Sequence, residues 1–196
     1  MPGFDLFSNA PVLHDHFKGT VFDEHQDIVQ VMFKKELIQE IADRLSKKQY
    51  SIAVAESVTA GLIQAALASA ENASVFFQGG ITAYNAKQKY THLQVDLLHA
   101  ASCNCVSPTV AEQMAQAVSR SFSSDWGIAI TGYASPLPGH DMNPLYAYYA
   151  ISFKGEILRS EEITAVPAEA IEVQLKYVHQ LLQGFLNTLK TKETLA

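Results

Sequence analysis

Residues 51–67 read SIAVAESVTAGLIQAAL, and they predict a buried strand that leads directly into a helix. The apolar run at 52–55 is typical of a strand that is covered on both faces of a parallel sheet. After it, Thr59 precedes apolar residues at helical spacing, which makes it a candidate helix cap. These apolar residues are Leu62, Ile63, Ala66 and Leu67. A strand followed by a helix is the repeating unit of an α/β domain.

Other segments continue this alternation of strands and helices. Residues 74–84, SVFFQGGITAY, are aromatic and β-branched and predict a strand, with a short polar helix after it. A capping serine and a first-turn proline, Ser107 and Pro108, predict the start of another helix. Residues 125–133, DWGIAITGY, predict a second buried strand. The resulting fold class is an α/β domain with a mostly parallel sheet and helices on both faces.

The ends of the chain complete the expected domain. Residues 28–48 have a helical apolar pattern that ends in two lysines, and residues 1–27 are interpreted as an N-terminal arm preceding a domain at 28–196. The pair Lys154-Gly155 separates two strand patterns and predicts a β-hairpin. Pro167 is expected to open a final helix through Leu189. Its expected apolar face comprises Ile171, Leu175, Val178, Leu182 and Leu186.

The composition excludes several classes of protein. The chain has 196 residues, of which 48% are hydrophobic and 17% charged, so it can bury a sizeable core and is not intrinsically disordered. It carries 14 Lys and Arg against 20 Asp and Glu, a net charge of −6 that argues against direct binding of nucleic acid. The sequence shows neither a long apolar run nor a signal-peptide pattern, so we expect a cytoplasmic protein without a membrane span.

The N-terminal arm, the cysteines and the histidines allow predictions about assembly, redox state and metal binding. The arm is rich in exposed apolar candidates, including Phe4, Phe7 and Phe17, and we expect it to cover a neighbouring copy in a homo-oligomer. Cys103 and Cys105, two residues apart and interpreted as strand neighbours, are expected to be reduced thiols. The histidines lack the spacing of metal ligands, so neither a metal nor a cofactor is expected.

Three segments place small or hydroxyl residues where strands end, at AESVTAG (55–61), ITAYNAKQK (81–89) and ITGYASP (130–136). Ligands of open α/β sheets bind outside the carboxyl ends of the strands, so these segments are candidates for one site. A serine between a buried strand and a helix can meet an anion or a carbonyl group, with backbone N–H groups as donors. Ser57 and Thr59 are equally compatible with plain helix caps.

Together with VSPTVAEQMA at 106–115, these segments resemble, in order and spacing, the CinA carboxy-terminal domain. That family carries an A-E-S-C-T-G-G block, a T-Y-S-N-E-A-K block and a T-G-I-A-G-P loop. The resemblance runs from about residue 33 to 190 and implies a three-layer α/β/α sandwich. Members known as nicotinamide-nucleotide amidases hydrolyse the carboxamide of nicotinamide mononucleotide to nicotinic acid mononucleotide and ammonia, without a metal.

The resemblance implies roles for individual residues. Ser57 would be the nucleophile or its close hydrogen-bond partner, and Ser74 would share that role. Tyr84 and Lys89 match the second block, with Lys87 as the alternative if the local register shifts. A lysine made neutral by burial is a competent base for a serine. The residues implied to bind a small nucleotide or carboxamide substrate are Glu56, Thr59, Gly61, Thr131, Gly132 and Tyr133, and Tyr133 could equally be core filler.

The chain also departs from the family pattern. Leu137 and Pro138 stand where the family loop has glycines, and Val58 replaces a cysteine. Residues 165–177, AVPAEAIEVQLKY, contain no arginine where family members have one, and arginine is the side chain best shaped to clamp a phosphate. The alternative function is therefore a catalytically reduced paralogue that binds a nucleotide or a partner protein without turnover.

Overall fold

The computed structural model describes residues 32–194. Its five strands are β1 (Ile52–Glu56), β2 (Phe77–Thr82), β3 (Trp126–Gly132), β4 (Leu145–Phe153) and β5 (Glu156–Ala165). Its six helices of more than one turn are α1 (Lys35–Lys48), α2 (Leu62–Ala68), α3 (Ala86–Leu93), α4 (Leu97–Ser102), α5 (Pro108–Ser121) and α6 (Ala170–Thr194). The arm at 1–27, and with it the expected contact to a second copy, lies outside the described residues.

The five strands form one sheet in the order β2-β1-β3-β4-β5. β1 runs parallel to both of its neighbours, whereas β4 is antiparallel to β3 and to β5. Four strands therefore point the same way, which confirms the mostly parallel sheet. Glu56, at the end of β1, lies beside Thr82 of β2 and Ile130 of β3. The carboxyl ends of these strands consequently meet at one edge, where the three candidate segments follow them.

The two faces of the sheet carry side chains of different size. Ile52, Val54 and Ile128 belong to the larger core cluster, which includes the buried side chains of α1, α2 and α6. Alanines such as Ala53 and Ala129 belong to the smaller cluster, which includes the apolar face of α5. Small side chains let α5 approach the sheet closely. This arrangement, with helices on both faces, is the expected three-layer α/β/α sandwich.

Local signals explain several element boundaries. Ser107 Oγ accepts a hydrogen bond from the backbone N–H of Val110, and Pro108 occupies the first turn of α5, as predicted. Lys154 and Gly155 both have positive φ, 49° and 84°, so the predicted hairpin turns through two left-handed residues. These boundaries depend on neighbours in the sequence, which is why the sequence predicts them correctly.

Other boundaries differ from the expectation. α1 begins at Lys35, later than the helical pattern suggested, and residues 28–31 lie outside the described range. The segment at 97–102 forms α4, which the sequence analysis did not predict; Asp96 caps it by accepting from the N–H of His99. Cys103 and Cys105 therefore lie in a turn after a helix rather than in a strand, although both are free thiols as expected.

The last helix also starts later than its proline suggested. α6 begins at Ala170, three residues after Pro167. Ile171 on the predicted apolar face is 47% exposed, whereas Tyr177 and Phe185 are fully buried. Val178, Leu182 and Leu186 are buried as predicted, and Leu175 is partly buried. The buried face is therefore the predicted one, widened by Tyr177 and Phe185, and it excludes the first turn of the helix.

Candidate functional site

Ser57 directly follows the carboxyl end of β1, an inner strand of the sheet, and is 6% exposed. Its backbone N–H donates to the carbonyl oxygen of Ile130 at 3.1 Å, which extends the strand pairing by one residue and fixes the serine backbone. The chain then turns into α2. The strand end thus presents the Ser57 hydroxyl at the edge of the sheet where ligands of open α/β sheets bind.

Helix α3 brings Lys89 to this serine. Lys89 Nζ lies 2.8 Å from Ser57 Oγ, 2.9 Å from the carbonyl oxygen of Ala83 and 3.5 Å from that of Tyr84. Asn85 starts the helix by accepting from the backbone N–H of Gln88. One helical turn then separates the cap from Lys89, so α3 turns the lysine back towards the end of β1.

The competing lysine does not reach the site. Lys87, two residues before Lys89, is exposed and therefore lies on another face of α3. Of the two lysines left open by the sequence, Lys89 is the one in contact with Ser57.

Burial controls the charge of Lys89. Its side chain is 1% exposed, and loss of hydration lowers the pKa of the ammonium below its usual value, while the nearby Cys105 thiol acts weakly in the opposite direction. Within residues 32–194, no carboxylate forms an ion pair with it. Lys89 is therefore a buried amine that loses its proton at a lower pH than an exposed lysine does, and it lies next to a serine hydroxyl.

Glu56 organises the turn that carries Ser57. Its buried carboxylate accepts five hydrogen bonds, from Thr59 Oγ1, from the N–H groups of Gly61, Ile63 and Gln64, and from Gln64 Nε2. The expected cap, Thr59, instead donates to this carboxylate, and no hydroxyl caps α2. The reason is that a carboxylate can accept from several N–H groups of the first turn at once. Glu56 is the actual cap.

The residues of this turn hold the backbone rather than line a cavity. Glu56 and Thr59 are fully buried, and Gly61 has a φ of 102°, which favours glycine. None of the three lines the cleft beside Ser57. The substrate-binding role implied for them is therefore not supported by direct access to the cleft; they shape the loop that presents the serine.

We expect Glu56→Gln to lower the free energy of unfolding by about 3 kcal/mol, since at least two N–H donors would lose a charged acceptor. The measurement is chemical denaturation followed by circular dichroism. Glu71→Gln is the matched control, because Glu71 is exposed and makes no carboxylate contact of this kind. Equal stability of the two variants would contradict the assigned role of Glu56.

The end of β3 forms the opposite wall of the site. Thr131 Oγ1 donates to the carbonyl oxygen of Cys105 at 2.7 Å and so ties β3 to the turn after α4. A Cβ at Gly132 would lie 2.3 Å from that of Ala147, so only glycine fits against β4 there. The ring of Tyr133 packs edge-on against Tyr146, with 5.4 Å between ring centroids.

The strand ends enclose a cleft of about 500 Å³. Six predicted residues line it, namely Ser57, Tyr84, Lys89, Thr131, Gly132 and Tyr133. Tyr84 is 77% exposed at its rim. The structure thus brings together residues from three segments that are up to 76 positions apart in the chain.

Ser74 does not belong to this group. It lies in a single 3-10 turn, Ala73–Val75, that precedes β2 and is exposed. Because β2 runs parallel to β1, the amino end of β2 is at the edge of the sheet opposite Ser57. Ser74 is therefore too distant to share the role of Ser57, and that expectation was wrong.

Several cleft residues were missed by the sequence analysis. Asn104 and Cys105 line the cleft from the turn after α4, and Gln174 lines it from α6. Asn104 Nδ2 donates to Tyr133 Oη at 3.1 Å, and Gln174 Nε2 donates to the carbonyl oxygen of Val58 at 2.8 Å. Of these three residues, only Gln174 has a signal in the sequence, since it lies in the segment 165–177, where family members have an arginine.

The described residues form neither a metal-binding cluster nor a membrane-spanning helix. Across 32–194, no three His, Cys, Asp or Glu side chains are grouped closely enough to hold a metal ion. His99 Nε2 instead lies 2.9 Å from Ser107 Oγ. No helix within the same range combines the length and the apolar character required to cross a membrane.

Comparison with known sequences identifies relatives for most of the chain. Residues 34–190 match the family model described as the CinA C-terminal domain. A CinA-like protein of Trichodesmium erythraeum is 34% identical over 147 residues, which cover 72% of this chain and 35% of the relative. A CinA-like protein of Picosynechococcus is 41% identical over 105 residues, covering 54% and 25% respectively. The chain therefore spans only a quarter to about a third of these relatives.

Solved structures have the same fold. A competence or damage-inducible protein of Enterobacter asburiae superposes with a TM-score of 0.70 at 27% identity, covering 79% of this chain and 97% of that one. A CinA superfamily protein of Klebsiella pneumoniae gives a TM-score of 0.74 at 23% identity, covering 81% and 99%, which supports the fold alone. With the match to the family model over 34–190, these findings show that the chain belongs to the CinA C-terminal domain family.

Proposed function

We propose that this CinA-family domain is a metal-independent amidohydrolase that converts a small carboxamide to a carboxylate and ammonia. The single observation that carries the proposal is the contact of 2.8 Å between Lys89 Nζ and Ser57 Oγ, inside a cleft and without an ion pair to any carboxylate among the described residues. A serine is a weak nucleophile unless a base takes its proton, and a desolvated lysine is such a base.

The neighbours of Lys89 can serve both of its protonation states. In the structure Nζ donates to three acceptors, namely Ser57 Oγ and the carbonyl oxygens of Ala83 and Tyr84. An uncharged amino group has two N–H donors and one lone pair. When Lys89 loses a proton, the two carbonyl oxygens can keep the remaining donors, and the lone pair becomes available to the hydroxyl proton of Ser57. The same backbone carbonyls hold the lysine in place while it exchanges its proton.

The proposed reaction has two stages. In the first, Ser57 Oγ attacks the carboxamide carbon while its proton passes to Lys89 Nζ. The tetrahedral intermediate then expels the amine, which takes the proton from Lys89 and leaves as ammonia, with the acyl group bound to Ser57 as an ester. In the second stage, water attacks the ester, Lys89 accepts a proton from the water, and the proton returns to Ser57 as the carboxylate leaves.

The strand ends also supply candidate donors for the oxyanion. The N–H of Ser57 is occupied by Ile130, but Val58 and Gly132 both line the cleft next to the hydroxyl. Their backbone N–H groups are our candidates for stabilising the negative oxygen of the tetrahedral intermediate. Gln174 holds the carbonyl oxygen of Val58 and so orients this peptide.

The test is ammonia release from a panel of small carboxamides by the purified full chain, with nicotinamide mononucleotide included because of the family resemblance. Saturable release that requires Ser57 would support the proposal. A second candidate, a paralogue that binds without turnover, is favoured by the lack of any arginine among the described residues that line the cleft. Ligand binding with no ammonia release from any carboxamide would support that candidate instead.

The pH dependence gives a separate prediction. Only the neutral form of Lys89 can accept the serine proton, so kcat/KM is expected to rise with pH through the pKa of Lys89. Burial lowers that pKa, so the midpoint should fall below the 10.5 of an ordinary lysine, with a plateau above it. The measurement is the pH–rate profile for the best carboxamide. A rate that falls as pH rises through this range would contradict Lys89 as the base.

A further inference from the structure

Among residues 32–194, no free Lys or Arg side chain lines the cleft beside Ser57 to meet an anionic ligand. Lys89 is the only Lys or Arg among the described residues that line it. Its ammonium is buried and already in contact with Ser57 and with the carbonyl oxygen of Ala83. The other polar lining side chains are amides and hydroxyls, namely Tyr84, Asn85, Asn104, Thr131, Tyr133, Ser135 and Gln174, together with the thiol of Cys105.

The helix ends at the cleft do not replace the missing cation. Ala170, the first residue of α6, lines the cleft, but Glu169 and Glu172 lie within the same turn and expose their carboxylates. These carboxylates oppose the positive end of the helix dipole. At the start of α3, the N–H of Gln88 is already bound by Asn85. An incoming phosphate would therefore meet the carboxylates of Glu169 and Glu172 near the start of α6, and no free lysine or arginine among the described residues that line the cleft.

We propose that this cleft selects carboxamides that carry no phosphate, whether neutral or cationic, over their phosphorylated counterparts. The inference rests on the proposed function, because it takes the cleft as the substrate site. A phosphate carries close to two negative charges and loses affinity when it is desolvated without a cationic partner. The uncharged amides and hydroxyls instead suit a heteroaromatic ring and sugar hydroxyls, and about 500 Å³ accommodates a nucleoside.

A matched pair of compounds tests the proposal. Nicotinamide riboside and nicotinamide mononucleotide differ only by the 5′-phosphate. We expect kcat/KM for ammonia release by the full chain to be about tenfold or more higher for the riboside, because only the mononucleotide brings an unpaired phosphate. Equal values, or a higher value for the mononucleotide, would overturn the inference while supporting the proposed function.

Binding of the two compounds to the Ser57→Ala variant shows which ligand the cleft prefers, independently of whether the wild-type chain releases ammonia. Calorimetric titration of this variant is expected to show tighter binding of the riboside than of the mononucleotide. Tighter binding of the mononucleotide, or binding of neither compound, would refute the inference. If the wild-type chain releases no ammonia but the riboside still binds more tightly, the proposed function fails and the inferred ligand class holds.

Charge reversal at the rim tests the physical cause. The double variant Glu169→Lys with Glu172→Lys is expected to lower the ratio of kcat/KM for the riboside to kcat/KM for the mononucleotide by about threefold or more at low salt. The reason is that two positive charges replace two negative charges near the start of α6. The matched control is the double variant Glu71→Lys with Glu156→Lys, which makes the same change in net charge. Both residues are exposed, and neither lines the cleft. An equal change in both double variants would show that total charge, not the cleft, sets the preference.

Discussion

Ser57→Ala is expected to reduce ammonia release by about a thousandfold or more, because the substitution removes the atom that would form the acyl ester. The backbone N–H of residue 57 would still donate to Ile130, and the five bonds of Glu56 would remain, so the turn should keep its shape. The assay is single-turnover ammonia release at a carboxamide concentration that saturates the wild-type chain. Circular dichroism and denaturation of the same preparation check that the variant is folded.

Ser74→Ala is the control for this experiment. Ser74 is exposed at the opposite edge of the sheet, so its variant should retain wild-type rates. A large loss at Ser74, or wild-type release by Ser57→Ala, would show that the reaction occurs elsewhere on the protein. Loss at Ser57 alone would assign the reaction to the end of β1.

Lys89→Met is expected to lower the rate of ammonia release by about a hundredfold or more, since a general base contributes on this scale. Methionine has a similar length and is apolar, so it can occupy the space of the buried side chain without a charge. The residual rate should no longer rise at alkaline pH, which separates loss of the base from loss of packing.

The stability of Lys89→Met is a further part of this prediction. Because the pKa of Lys89 is lower in the folded state than in the unfolded state, burial of the ammonium lowers the free energy of unfolding of the wild-type chain below the folded-state pKa. The free energy of unfolding rises as pH increases from the folded-state pKa to the unfolded-state pKa. The methionine variant lacks this dependence and should be within about 1 kcal/mol of wild type at neutral pH. The control is Lys87→Met, which changes an exposed lysine of the same helix and should leave rate and pH profile unchanged. Equal losses in both variants would contradict the role of Lys89.

The sheet was largely predictable because its strands and caps depend on short-range patterns. The apolar run before Ser57 and the segment from Trp126 are buried as predicted, because both lie near the centre of the sheet between layers of helices. α4 escaped prediction because it has six residues and one fully buried alanine, Ala100, too few to show a periodicity. Without α4, the position of Cys105 in the cleft could not be foreseen.

The candidate site was predictable only in its parts. Ser57 follows β1 and Thr131 lies near the carboxyl end of the parallel neighbour β3, so topology alone places both at the same edge. The choice of Lys89 over Lys87 depended on which face of α3 packs towards β1, and periodicity in an eight-residue polar helix does not report that face. The role of Ser74 was implied by the family resemblance alone, and the structure places Ser74 in the 3-10 turn before β2 rather than beside Ser57.

The buried strands, the capped helix α5, the hairpin turn and the family resemblance could all be predicted from neighbouring residues, because each depends on their identity and order. Three contacts appear only once the chain is folded: Glu56 caps α2, Lys89 reaches Ser57, and Gln174 donates to the carbonyl oxygen of Val58, 116 positions away in the chain. The physical reason is that a hydrogen bond forms or fails over a few tenths of an ångström. The packing of helices on the sheet sets those distances, and local sequence patterns do not contain them.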